Sequence, residues 1–202
     1  MFTSTSRRIS LAVASGAGAL VLLTACGGSE PPVPAAATSS AVPSATPSAT
    51  SAAFNDADVM FAQMMIPHHR QAVEMADLAP GRAADKEIKD LAAKIKAAQD
   101  PEIQTMRGWL QEWGKPLPTG GMDHAMPGIM SEEDMKKLAA AKGAAFDRMF
   151  AKLMIAHHNG AIDMARTEVR QGADPEAKEL AKAIETAQQA EVAQMRALLE
   201  RL

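Results

Sequence analysis

"FAQMMIPHHRQAVEMA" occupies residues 61–76, and "FAKLMIAHHNGAIDMA" occupies residues 150–165. The two align without a gap at an offset of 89 residues, with nine of 16 positions identical. The same offset places "EIKDLAAKIKAAQDPEIQTMRGWL" (87–110) on "EAKELAKAIETAQQAEVAQMRALL" (176–199) with 11 identities in 24, so one unit has been used twice. In each block apolar residues return every third or fourth position, the period of an amphipathic helix. Each unit is therefore a helical hairpin. A hairpin alone leaves its apolar stripe in water, so two of them are expected to close on one another as an all-α four-helix bundle.

Punctuation between the blocks agrees with that reading. Asn55 can cap the first helix, and Asp85 and Asp174, again 89 apart, can cap the second and fourth. Pro175 follows Asp174 at the position where a missing N–H costs nothing. "PGR" (80–82) and "RQGAD" (170–174) are expected to break the two hairpins. Residues 114–130, "GKPLPTGGMDHAMPGIM", form the connecting loop, after which Ser131 and Asp134 read as a capping box opening a short helix before Gly143. Repeat one thus spans 54–113, and the short helix with repeat two spans 131–202. The chain has no Tyr, few Phe and Trp, and is 47% hydrophobic, a composition dominated by good helix formers.

The N-terminal quarter reads differently. Arg7 and Arg8, the apolar run Ile9 to Leu23 and the tetrapeptide Leu23-Thr24-Ala25-Cys26 have the layout of an export signal over residues 1–26. The tetrapeptide resembles the bacterial lipobox, so Cys26, the single cysteine of the chain, is expected to carry a lipid. Residues 27–53 are almost entirely Ser, Pro, Ala, Thr, Gly and Val, and are expected to form a disordered tether because they cannot bury enough apolar surface to offset ordering. The expected location is the extracytoplasmic face of a bacterial membrane, in the cell envelope. The net charge of −3 and the lack of a basic patch exclude nucleic acid as a partner.

Helical spacing sets Gln63, Pro67, Arg70, Glu74 and Asp77 on one polar stripe, with Lys152, Ala156, Asn159, Asp163 and Arg166 as its counterpart. His68 and His69, and likewise His157 and His158, then point inward, while Glu74 and Asp163 point outward and are excluded as ligands. Buried imidazoles need hydrogen bonds or a metal. Met65 precedes His68 by three residues and Met154 precedes His157 by three, so a thioether shares a face with each pair. Imidazole with thioether suits Cu(I), is tolerable for Cu(II) and is unsuited to Mg or Ca, which makes copper the expected ion. Met122, His124, Met126 and Met130, in an exposed loop without a packing reason for thioethers, are a looser second ligand set. Met60, Met75, Met106, Met164 and Met195 are expected in the core.

"MMIPHHRQAVEMA", "MPGIMSEEDMKKL" and "FDRMFAKLMIAHHNGAIDMA" are similar to hallmark segments of the bacterial domain-of-unknown-function family 305, of the ferritin-like superfamily. The resemblance spans essentially all of 54–202. It implies a ferritin-like bundle, export to the envelope and, for some members, copper binding, with His68, His69, Met65, His157, His158 and Met154 as implied ligands. Di-iron ferritin-like proteins carry Glu-x-x-His on two helices. Here Glu102 is followed by Thr105 and Glu191 by Gln194, so iron oxidation is not expected, although both glutamates can reach a metal from the facing helix.

Three readings follow. The first is a copper-binding envelope lipoprotein that buffers, stores or transfers copper, with copper-handling proteins as partners. Its metal binding is expected to weaken below about pH 6.5, where free imidazole protonates. The second is a metalloenzyme, a copper oxidase or peroxide-handling protein, although no nucleophile-base constellation is present. The third is a metal-free envelope interaction module.

Overall fold

The computed structural model describes residues 54–119 and 126–202. The expected signal, Cys26 and the tether, together with Met122 and His124, lie outside the described residues. Within them the fold is all-α: α1 (Asp56–Arg82), α2 (Lys86–Glu112), a short α3 (Glu132–Ala140), α4 (Gly143–Gln171) and α5 (Pro175–Arg201). No described helix is long and apolar enough to cross a membrane.

The caps form where the residue types dictate. Asn55 and Asp58 make a reciprocal capping box on α1, and Asp85 and Asp174 each accept two backbone N–H groups at the starts of α2 and α5. Ser131 accepts the Asp134 N–H at the start of α3. The break at 80–82 is later than expected, because α1 continues through Pro80 and Gly81 to Arg82. Arg82 then ties this end down by donating to the Ala139 carbonyl at 2.7 Å.

α1 packs along α2 and α4 along α5, and the hairpins meet mainly through α1 and α4. Asp77 and Lys96 pair across the first hairpin; Arg166 and Glu185, at the equivalent positions, pair across the second with the charges exchanged. Two further carboxylates link the hairpins reciprocally. Buried Asp58 on α1 accepts the Ala173 and Asp174 N–H groups before α5, and its repeat counterpart, buried Asp147 on α4, accepts those of Ala84 and Asp85 before α2. Each hairpin thus satisfies the orphan donors at the other's turn.

Apolar packing forms two clusters at opposite ends of the long helices. One gathers Met75, Ile88, Leu91, Ile95, Phe146, Phe150, Met154 and Met195, and the other Phe61, Met65, Ile66, Ile103, Met106, Leu110, Met164 and Ile184. Met75, Met106, Met164 and Met195 are core, as expected. Met60 is not: at 59% exposure it is the exposed large apolar side chain among the described residues. Its neighbours Val59, Phe61 and Ala62 are buried, whereas Met60 falls on the outer stripe of α1 with Gln63 and Pro67.

Candidate metal centre

Between the two clusters the core changes chemistry. His68, His69, His157 and His158 are all fully buried at mid-helix, and Gln99 and Gln188, equivalent in the repeat, are buried at 2% and 3% exposure. Helical spacing turned both members of each His pair inward, as the sequence required, and the α1–α4 contact brings the pairs face to face. The rings of His68 and His157 lie 3.7 Å apart, centroid to centroid, at an angle of 43°.

The outer member of each pair is held by the neighbouring helix. His69 Nε2 lies 2.8 Å from Glu102 Oε2, and His158 Nε2 lies 2.7 Å from Glu191 Oε2. His68 Nε2 lies 3.1 Å from the Pro127 carbonyl. A carbonyl only accepts, so His68 Nε2 carries the hydrogen and its Nδ1 holds a bare lone pair. His69 and His158, facing carboxylate acceptors, likewise carry a hydrogen on Nε2. Nδ1 of His68, His69 and His158, and both ring nitrogens of His157, are buried with no hydrogen-bond partner.

Burial followed by the charge of His69 lowers the His68 pKa to about 3, against the small opposing effect of its bond to Pro127. Burial and then His68, His158 and His69 hold His157 well below its ordinary value. Both rings are therefore neutral, the form that coordinates a metal. The proton competition expected near pH 6.5 from free imidazole is displaced to much lower pH, because desolvation disfavours the cation.

A strap covers this layer. Gln71 on α1 clamps Met130 from both sides, donating to its carbonyl at 3.0 Å and accepting its N–H at 2.7 Å. The equivalent position on α4 is Gly160, where an added Cβ would stand 2.0 Å from the Pro127 carbonyl oxygen. Gly128, at φ +77°, fits against the carbonyls of Ala156 and His157. Met126 is buried and Met130 half-buried against the Met154 cluster. Their thioethers close the bundle instead of standing in an exposed loop, because the clamp draws this segment onto the α1–α4 seam.

Met65 and Met154 are fully buried, one in each apolar cluster, on the two sides of the histidine layer. Glu74 and Asp163 are exposed, as the stripe assignment required. Sequence reasoning left Glu102 and Glu191 out of the ligand set and missed Gln99 and Gln188 altogether. Both pairs repeat at the 89-residue offset, which was the available signal. Among the described residues no three His, Cys, Asp or Glu side chains come together as a metal-holding group. The rings that do converge are those of His68 and His157, and imidazole is a borderline donor that suits copper.

Residues 58–199 match the model of a family described as a domain of unknown function, DUF305. Among proteins of curated function none matches the chain. A DUF305 protein from Streptomyces coelicolor, classed as a candidate secreted protein, is 33% identical over 72% of this chain and 93% of its own, with a TM-score of 0.68. A DUF305 fragment from Deinococcus radiodurans is 32% identical over 73% of this chain and 98% of its own, also at 0.68. CopM in its Cu(I)-bound form is 35% identical over 71% of this chain and 96% of its own, at 0.62, and it has also been solved with Cu(II) and with Ag.

Proposed function

The chain belongs to the DUF305 family, and from that premise we propose that it binds copper, as Cu(I), in the histidine layer of its bundle, and buffers, stores or transfers the ion at the cell envelope. The observation that carries this reading is the set of five buried imidazole nitrogens without partners. A buried nitrogen that finds no hydrogen bond is costly, and a metal ion removes that cost. The Nε2 contacts to Glu102, Glu191 and Pro127 have the form of outer-shell bonds that orient a ligating imidazole and raise its basicity. CopM, a relative of similar sequence, holds Cu(I), Cu(II) and Ag.

His68 and His157 are the proposed central ligands, with His69 and His158 beside them and Met65 and Met154 as thioether donors from either side. When bound, the ion brings soft Lewis acidity and one-electron redox capacity. The chain's own residues exclude water, keep His68 and His157 neutral and orient the rings of His68, His69 and His158 through their Nε2 bonds. No group in the layer is placed as a nucleophile with a base, which favours a carrier over an enzyme. Anchoring through a lipid on Cys26, with residues 27–53 as a tether, supplies the proposed envelope location.

The test is anaerobic equilibrium dialysis of the full chain against Cu(I) or Ag(I), compared with a variant carrying alanine at 68, 69, 157 and 158. Loss of tight binding in the variant, with helicity retained, supports the reading. Undiminished binding in that variant refutes it.

A further inference from the structure

We propose that a surface cleft on the α1–α4 face is a second soft-metal site, built from the thioethers of Met60, Met64 and Met164 and serving a monovalent cation such as Cu(I) or Ag(I). The site goes beyond the histidine layer and does not depend on it. The cleft, about 470 Å³ in volume, is bounded by these three methionines with Phe61, Pro127 and Glu168. Met60 and Met64 stand one helical turn apart on α1, and Met164 faces them from α4. Methionine has three rotatable bonds, so thioethers around one open cleft can converge on an ion.

Two features point to a cation rather than to packing. Met60 is exposed, so its sulfur contributes little to the core and is open to an ion from solvent. None of the residues lining the cleft is basic, whereas Asp56 and Asp163 are acidic and exposed.

The repeat sharpens the point. At the equivalent positions in the other half stand Met149, Leu153, Met75 and Ala79, so one of the three thioethers and the acid are missing there. Symmetry otherwise governs the caps of α2 and α5, the buried Asp58 and Asp147, and the histidines, and it is broken here by a thioether. Soft thioethers select Cu(I) and Ag(I) over Mg, Ca or Zn. Pro127 belongs both to the cleft wall and, through its carbonyl, to the strap held by His68. The cleft therefore adjoins the histidine layer.

The experiment uses the full chain with methyl-labelled methionine, titrated with Ag(I) in chloride-free buffer, with bound silver counted by dialysis. Leucine matches methionine in size, so the combined variant Met60→Leu, Met64→Leu and Met164→Leu keeps the fold while removing the donors. Silver is expected to shift the methyl signals of Met60, Met64 and Met164, and the leucine variant is expected to bind one ion fewer per chain. A variant with His68→Leu and His157→Leu should keep the cleft response, and if it also keeps full silver binding, only the histidine reading falls. Unmoved methyl signals at these three residues, or full stoichiometry in the leucine variant, overturns the cleft proposal.

Discussion

The two ends of the bundle and its middle obey different rules. At the ends, side chains such as Phe146, Phe150, Ile88, Met106 and Leu110 are buried with only apolar neighbours to satisfy. In the middle, four histidines and two glutamines are buried at the same depth with donors and acceptors left over. Burying apolar surface stabilises by about 25 cal/mol per Å². Burying an unpaired polar group instead costs about 1–3 kcal/mol. The ends hold the fold together, and the middle is tolerated because they do.

The contrast can be broken by exchanging the two chemistries. Phe150→Ala should lower the free energy of unfolding by about 3–5 kcal/mol, read by denaturant titration, while leaving silver binding near normal. His68→Leu with His157→Leu should do the reverse. Its metal-free stability should hold or rise, since two unsatisfied rings are replaced by apolar groups, and its affinity for Cu(I) should fall by at least about 100-fold in competition with a chelator. Glu102→Gln, which touches only the outer edge of the layer, should weaken metal affinity about 10- to 100-fold with little change in helicity.

Titration sharpens the same comparison, because the buried polar groups respond to pH with opposite signs. His68 has a folded value of about 3, below its unfolded one, so its contribution is present above about pH 6.5 and is lost as pH falls through about 3. Glu168 behaves in the other sense. Burial, then its hydrogen bond with Asp58 and the charge of that group, raise it to about 8 from 4.5. Asp58 is pushed up by burial, but its bonds with Glu168 and with the backbone of Asn55, Ala173 and Asp174 leave it lower than usual, so the proton rests on Glu168. Stability from Glu168 is therefore complete below about pH 4.5 and lost as pH rises through about 8.

Melting curves of the metal-free protein should decline on both sides of neutrality. The His68→Leu, His157→Leu variant should remove most of the acid decline, and Glu168→Gln most of the alkaline one, worth about 2 kcal/mol near pH 8.5. The smallest effect belongs to the surface. Reversing the first hairpin's pair, Asp77→Arg with Lys96→Glu, reproduces the charges of Arg166 and Glu185 and should change stability by less than about 0.5 kcal/mol in chemical denaturation.

Much of this arrangement was legible in the sequence, for identifiable reasons. The 89-residue repeat and the 3.6 period fixed the hairpins and turned His68, His69, His157 and His158 inward, because side-chain direction on a helix follows from spacing alone. Caps at Asn55, Asp85, Asp174 and Ser131 were legible because each acts within its own first turn. Contacts between elements were harder. The Glu102–His69 and Glu191–His158 bonds depend on how each hairpin is levelled, and the capping role of Asp58 and Asp147 depends on how the hairpins dock. A signal for the latter existed: Asp58-Val59-Met60 and Asp147-Arg148-Met149 extend the repeat upstream with two further identities. Met60 was misread as core from its residue type, since spacing of three and seven residues sets it on the polar stripe with Gln63 and Pro67.

The most direct test of the account is a long-range ¹H–¹⁵N spectrum of the imidazoles, recorded before and after one equivalent of Ag(I). The account predicts that His68, His69 and His158 carry hydrogen on Nε2 in the metal-free protein, His68 with a bare Nδ1, and that silver shifts ring nitrogens of His68 and His157 from their lone-pair positions. Imidazole signals unmoved by an ion that nonetheless binds would contradict it.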